Sequence, residues 1–294
     1  MKKIDILSLR DSLTGAPIFK TDQYILKKYT DEYYRLIFLK CPVRQSGYEL
    51  PWDTAENNPC KEQGDKKRVD NIYRAKSKIF EIAMCNNFEY FGTFTLDKEK
   101  ISRADLHGTY EKISKWLSNR QRTNGVIKYV IIPELHSCGK NWHFHGLFYF
   151  ENVAENLQEF EIKKEMPTRQ KIKIKQLKDE NYLNFPAYSE KFGFCSFGKI
   201  KDKKRASSYI TKYITKSLEN ANEVGMNKKL YYCSAGLNRA EKISTGNITD
   251  LPMLIREKEK AFENEYCSIQ ILTKAEIEKY FSCELYEHYF CWEL

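Results

Sequence analysis

The stretch VIKYVIIPELHSCGKNWHFHGLFYF at residues 126–150 decides the fold that this sequence predicts. Residues 126–135 are mostly apolar or β-branched, which is typical of a buried strand. The polar segment 137–141 contains Gly139 and predicts a hairpin loop. Residues 142–150 are rich in aromatic side chains and predict the returning strand, so the two strands should pair antiparallel.

The predicted hairpin lies within a longer alternation of helices and strands. Apolar residues at spacings of three and four predict helices over 67–86, 102–122 and 207–218. Ser207 or Ser208 could cap the last of these helices. Runs of aromatic and β-branched residues predict further strands over 88–96, 192–200 and 230–234. The order predicts an α+β fold with a central antiparallel sheet and flanking helices.

The remaining segments give weaker signals. The alternation in KIKIKQLK predicts an exposed strand over 171–175, within a charged insertion. We expect loops and short strands before the first helix, and mainly helix from Thr249 onward. The expected organisation is an N-terminal appendage (1–65), a central domain (66–248) and a C-terminal helical appendage (249–294).

Composition favours a folded protein with a phosphate-rich partner. Hydrophobic residues make up 41% of the 294 residues, which is enough for a packed core, and the formal net charge is +9. The nine cysteines contain no CxxC pair, so zinc-finger and thioredoxin-type sites are not supported. Scattered cysteines and the lack of a long apolar run predict a soluble, cytoplasmic protein without a membrane partner.

Three histidines and one glutamate on the hairpin predict a metal site. His143 and His145 are two positions apart on a strand, so their side chains share one face while Phe144 points into the core. Glu134 and His136 lie on the partner strand, and one of them should face the two histidines. This mixed set suits Mn²⁺ or Mg²⁺, with zinc also possible. A His-x-His pair alone is more often without function.

A second candidate site is the string SSYITKYITKSL at residues 207–218. Tyr209 and Tyr213 are four residues apart, as are Lys212 and Lys216, so each pair lies along one side of a helix. A tyrosine becomes a useful nucleophile only when a metal or a cation assists it. Without the histidines, the same pattern would simply predict an amphipathic helix with its lysines in water.

Together these motifs resemble those of the HUH endonucleases, the rolling-circle replication initiators in which U is a hydrophobic residue. FGTFTL (91–96) is similar to the first motif of that family, 134–145 to the second, and the Tyr-x-x-Lys pattern of 209–216 to the third. The doubled tyrosine is similar to the two-tyrosine initiators of small phages. The resemblance covers roughly residues 67–245, and the motifs follow the family's order.

The resemblance implies a fold, a ligand set and a reaction. It implies a ferredoxin-like or RRM-like sheet, Glu134 as the third metal ligand, and nicking of single-stranded origin DNA in the cytoplasm of a bacterial host. Tyr209 or Tyr213 would form a 5′-phosphotyrosine link, with Lys212 and Lys216 binding phosphate. No GxxxxGK[ST] string is present, so unwinding would require a host helicase.

Basic residues near the predicted tyrosine helix are candidates for contacts with DNA. They are Lys199, Lys201, Lys203, Lys204 and Arg205, together with the lysines of 163–178. The alternative for both groups is a solvated surface. Two other functions fit the motifs less fully: a nucleic-acid-binding protein without catalysis, and a metal-dependent nuclease that uses water.

Overall fold

The computed structural model describes residues 6–45, 69–136, 138–219 and 229–281. The strands are β1 (Phe19–Lys20), β2 (Gln23–Lys28), β3 (Tyr33–Leu39), β4 (Val43–Arg44), β5 (Tyr90–Thr95), β6 (Ile127–Leu135), β7 (Trp142–Phe150), β8 (Gln158–Glu159), β9 (Leu183–Asn184), β10 (Cys195–Lys199), β11 (Tyr232–Cys233), β12 (Glu241–Asn247), β13 (Phe262–Glu263) and β14 (Cys267–Thr273). The α-helices are α1 (Val69–Cys85), α2 (Leu106–Asn124), α3 (Val153–Asn156), α4 (Thr168–Asp179), α5 (Pro186–Lys191), α6 (Lys203–Glu219), α7 (Met253–Arg256) and α8 (Lys274–Tyr280).

The chain divides into two compact units. One unit spans Gln63–Asn238, and the other combines Met1–Glu62 with Arg239–Leu294. The expected boundary at 65/66 lies outside the described residues, so that boundary stays a prediction. Both units contain antiparallel sheets and helices, which confirms the predicted α+β class. In the described residues, none of the helices has the length and apolar character needed to span a membrane.

The seven-stranded sheet of the Gln63–Asn238 unit has the order β11-β6-β7-β5-β10-β9-β8. Its four central strands follow a strand–helix–strand–strand–helix–strand path: β5, α2, β6, β7, α5 and β10. All neighbours among these four strands pair antiparallel, in the arrangement of the ferredoxin-like motif. The hairpin of 126–150 thus supplies two of the four strands, as the sequence predicts.

The two faces of this sheet have different coverings. On one face, Phe144 and Phe148 pack in an aromatic core with Tyr110 of α2 and Tyr188 of α5. We call the other face the histidine face, because it carries His143 and His145. On that face, Ile79 and Ile82 of α1 and Ile210 and Ile214 of α6 pack on Val130, Ile132 and Leu147. Strand alternation explains the division, since successive side chains leave opposite faces.

The other unit is built on the five-stranded sheet β12-β2-β3-β14-β13. Tyr34 and Leu36 of β3 pack with Leu272 of β14 and Ile277 of α8 in its core. The mainly helical segment expected from Thr249 onward is therefore wrong as a description of this region. The run CSIQILT of β14 contains β-branched residues, and it pairs along its whole length with β3.

The strand predicted over 171–175 is also wrong, because these residues lie in α4. Ile174 is the buried residue of this helix, and half-buried Lys171 and Leu177 lie three positions to either side of it. That spacing is helical, and lysine, glutamine and leucine all favour a helix. Five alternating residues were too few to separate the two periods.

Helix α6 begins earlier than predicted. It starts at Lys203, so Ser207 lies inside the helix, where its hydroxyl donates to the Lys203 carbonyl at 2.7 Å. Asp202 stabilises the first turn instead, since its Oδ1 accepts from the Arg205 amide at 2.9 Å. Most of the basic turn expected over 201–205 is consequently the first turn of the helix that carries the tyrosines.

The aromatic core makes stability sensitive to alkaline pH. Burial raises the pKa of the Tyr188 and Tyr110 phenols above the usual value of 10.0. Unfolded tyrosines ionise first, so the stability that these groups contribute is complete below about pH 10 and falls above it, by about 1.4 kcal/mol per pH unit per tyrosine. We expect urea unfolding midpoints to decrease as the pH rises beyond that value.

A Tyr188→Phe variant provides the control for this prediction. Among the described residues the buried Tyr188 hydroxyl has no hydrogen-bond partner, so the substitution should not destabilise the protein at neutral pH. The decrease in unfolding free energy above pH 10 should become shallower in the variant. An unchanged slope would show that Tyr188 does not contribute to it.

Candidate metal centre and tyrosine pair

The hairpin brings one carboxylate and two imidazoles to a point. Glu134 on β6 lies directly opposite His143 on β7, and His145 is two residues further along the same strand. Glu134 Oε2 lies 2.6 Å from His143 Nε2 and 2.7 Å from His145 Nε2. The prediction that both histidines share a face is confirmed, because their ring centres are 5.1 Å apart while Phe144 is buried in the opposite core.

This cluster fits a divalent metal. The candidate ligand atoms of Glu134, His143 and His145 all lie within 4.8 Å of one another. Glu134 is only 4% exposed, and a buried carboxylate is unfavourable without a positive partner, which a metal or a protonated histidine would provide. His143 is partly exposed, which leaves one side open to a substrate. Two imidazoles and one carboxylate with open positions suit several divalent metals.

Thr93 on β5 orients one of these imidazoles. Because β5 pairs with β7, Thr93 lies directly opposite His145, and its Oγ1 is 3.3 Å from His145 Nδ1. When Nδ1–H donates to this hydroxyl, the lone pair of the ring is on Nε2, which is the atom that faces Glu134. The sequence argument quoted this threonine in FGTFTL without giving it a role. Pairing of β5 with β7 was the missing information.

The substitution Thr93→Val should weaken metal binding. It removes the hydrogen bond that holds His145 but keeps the shape of the side chain. Loss of such an outer partner typically reduces metal affinity about 10- to 100-fold, which titration calorimetry with Mn²⁺ would measure. Thr95→Val is the matched control, since Thr95 lies on the same strand and face but is exposed. Equal affinities for the two variants would contradict an orienting role for Thr93.

The tyrosines of α6 lie against the metal cluster. The ring of Tyr213 stacks on the ring of His145, with centres 3.9 Å apart and planes inclined by 17°. The Tyr213 hydroxyl donates to the Tyr209 hydroxyl at 2.9 Å. Phe91 of β5 supports the group, with its ring centre 5.5 Å from that of Tyr209 and 6.0 Å from that of His145.

The two tyrosines have different environments. Tyr209 is 46% exposed, whereas Tyr213 is half-buried. Burial is the main cause that raises the pKa of Tyr213 well above its usual value, and the hydrogen bond with Tyr209 and the charge of Glu134 add to it. Tyr213 is therefore protonated at neutral pH. Lys212 Nζ lies 5.8 Å from the Tyr209 ring centre, while the side chain of Lys216 lies outside the described part of the chain.

His136, the alternative third ligand, does not join the cluster. Strand β6 ends at Leu135, so His136 belongs to the hairpin loop and is exposed. Its Nδ1 accepts from the Cys138 amide at 3.3 Å, and its ring centre is 6.2 Å from that of His143. In the described residues, the three-ligand group consists of Glu134 with the two histidines.

The basic residues predicted to contact DNA surround the start of α6. Lys201 and Lys204 are exposed, as are Lys199 and Arg205, whereas Lys203 is half-buried and burial lowers its pKa. Six residues separate Lys203 from Tyr209, which is about 9 Å along a helix axis. The structure thus places this positive charge on the same helix as the tyrosines. The lysines of 163–178 lie on α4 and on the segment before it.

Comparison with known proteins agrees with this part of the chain. Residues 89–218 match the model of a family described as replication-associated proteins of the ORF2 type. Searches of curated proteins and of solved structures gave no match. The matched segment begins just before β5 and ends within α6, and it contains the metal cluster and both tyrosines. In this segment, somewhat less than half of the whole, the chain is similar to a family of replication-associated proteins.

Proposed function

We propose that this protein nicks and rejoins single-stranded origin DNA through a 5′-phosphotyrosine intermediate, and so starts and ends rolling-circle replication. One observation carries the proposal: the ring of Tyr213 stacks on His145, so a pair of tyrosines and a metal cluster form one site. The match to a replication-associated family supports the same function.

Each residue of the site has a proposed role. Glu134, His143 and His145 would hold Mg²⁺ or Mn²⁺, and the ion would polarise the oxygens of the scissile phosphate. Tyr209 is the first nucleophile, because it is the more exposed of the two tyrosines. Tyr213 fixes the Tyr209 hydroxyl through its hydrogen bond, and it would attack in the second cleavage. Lys212 and Lys216 neutralise phosphate charge.

The proposed reaction conserves a phosphodiester bond. The Tyr209 oxygen attacks phosphorus and forms a new P–O bond, while the bond to the 3′ oxygen of the preceding nucleotide breaks. The phenolic proton passes to solvent, and the departing oxygen takes up a proton to become a free 3′-OH, which can prime synthesis. In the reverse direction a 3′-OH attacks the phosphotyrosine and restores the strand, so joining needs no ATP.

The proposal can be tested with end-labelled single-stranded oligonucleotides of random sequence and Mn²⁺. A 3′ label should move to the protein band in a denaturing gel, because the 5′ end of the downstream fragment becomes attached to tyrosine. A 5′ label should remain on a shortened strand that a polymerase can extend. Cleavage without any protein-linked label would instead indicate a nuclease that uses water. Binding without cleavage would indicate a nucleic-acid-binding protein.

A further inference from the structure

A second aromatic group lies on the histidine face, outside the metal cluster and the tyrosine pair. Tyr182 immediately precedes β9, and the pairing of Leu183 with Phe197 places it opposite Gly198 of β10. Gly198 in turn pairs with Phe91 of β5. Directly opposite residues share a sheet face, so Tyr182, Gly198 and Phe91 form one row across three strands.

The ring of Tyr182 occupies the space that a side chain at position 198 would need. A β-carbon on Gly198 would come within 2.8 Å of Tyr182 Cε1 and 3.0 Å of its Cζ. The ring therefore lies over β10, on the side of the sheet that carries Phe91. Tyr182 is only partly buried, and its hydroxyl makes no hydrogen bond to any described residue.

This row leads to the proposed nucleophile. The ring centre of Phe91 is 5.5 Å from that of Tyr209, which is itself 46% exposed. Alongside runs a row of hydroxyl groups, formed by Ser196 of β10 and Thr93 of β5, which pair directly, and Thr95 nearby is exposed. Two strand spacings, about 10 Å, separate the positions of Tyr182 and Phe91 across the sheet. A strand of about three stacked nucleotides covers that distance.

We propose that Tyr182 is a stacking platform for an unpaired nucleobase of single-stranded DNA, a few nucleotides from the phosphate that Tyr209 attacks. The placement relative to the scissile phosphate rests on the proposed function, whereas the stacking itself does not. An aromatic ring accepts any base on its face, so this subsite would contribute affinity without choosing a sequence. Gly198 is part of the subsite, because only glycine leaves room for the ring.

The test is the affinity of the full chain for fluorescently labelled oligo(dT), measured by anisotropy. Tyr182→Ala should weaken binding about 5- to 100-fold, the range found for loss of one stacked base. Tyr182→Phe should bind like the wild type, since it keeps the ring. Gly198→Ala should reproduce the loss, because its methyl group displaces the ring. Tyr266→Ala is the control, since Tyr266 is 51% exposed in the other unit.

Two further readouts separate stacking from other roles. The dependence of binding on salt should keep its slope in Tyr182→Ala, because no phosphate contact is lost. A tyrosine that only covers a strand glycine would stabilise the sheet, and Tyr182→Ala would then lower the melting temperature with unchanged affinity. That result would overturn the inference, and so would a Tyr182→Phe variant as weak as Tyr182→Ala.

Failure of this inference differs from failure of the proposed function. Wild-type protein that forms the covalent adduct, together with a Tyr182→Ala variant of normal affinity, would reject the stacking subsite alone. Wild-type protein without any adduct, together with weak binding by Tyr182→Ala, would reject phosphotyrosine chemistry and keep the subsite as part of a single-strand binding surface.

Discussion

Replacing Tyr209 with phenylalanine should remove nearly all of the covalent protein–DNA adduct that forms with Mn²⁺ and labelled single-stranded DNA. The substitution keeps the ring, and so keeps the contact with Phe91, but it removes the oxygen that attacks phosphorus. Loss of a nucleophile typically lowers the rate by more than about a thousandfold. Quantification of labelled protein on denaturing gels during the first minutes of reaction would measure this rate.

Tyr213→Phe should have a smaller effect on the same first cleavage. It keeps the stacking on His145 and removes one hydrogen bond to Tyr209, so a decrease of about tenfold is expected. The double variant should form no adduct at all. A larger loss in Tyr213→Phe than in Tyr209→Phe would reverse the order of the tyrosines. An adduct that persists in the double variant would exclude both as the nucleophile.

The sequence predicted the hairpin and its ligands well, because the physical rules that apply there are local. The period of two along 142–150 puts His143 and His145 on one face whatever the rest of the chain does. Glu134 needed one more piece of information, the position of the turn. The loop that follows Leu135 places Glu134 opposite His143 and takes His136 out of the sheet.

Features that depend on tertiary packing were beyond the same rules. No spacing in the sequence shows that β5 pairs with β7, and without that pairing Thr93 is one more strand threonine. The stacking of Tyr213 on His145 likewise depends on how α6 packs against the sheet. In α4, the lysine alternation suggested a strand, and only the burial of Ile174 reveals the helical period. Long-range contacts therefore decide the second half of the candidate site.

Glu134→Gln should abolish metal binding and, with it, DNA cleavage. The carboxylate oxygen Oε2 is the atom that both histidine nitrogens approach, at 2.6 and 2.7 Å. An amide lacks the negative charge that a divalent ion requires at this point. We expect a loss of Mn²⁺ affinity greater than the roughly hundredfold that removal of an outer partner can cause. Calorimetry measures the affinity, and thermal unfolding gives an independent readout.

Thermal unfolding makes this prediction independent of any DNA substrate. A metal that binds only the folded wild type at about 100 times its Kd should add about 2.7 kcal/mol of stability, and EDTA should remove it. Glu134→Gln should fold but gain nothing from Mn²⁺. His136→Ala is the decisive comparison, because His136 lies outside the cluster and its loss should leave the metal-dependent stabilisation intact. If His136→Ala lost that stabilisation and Glu134→Gln kept it, the third ligand would be the histidine, and the hairpin loop would have to close over the metal.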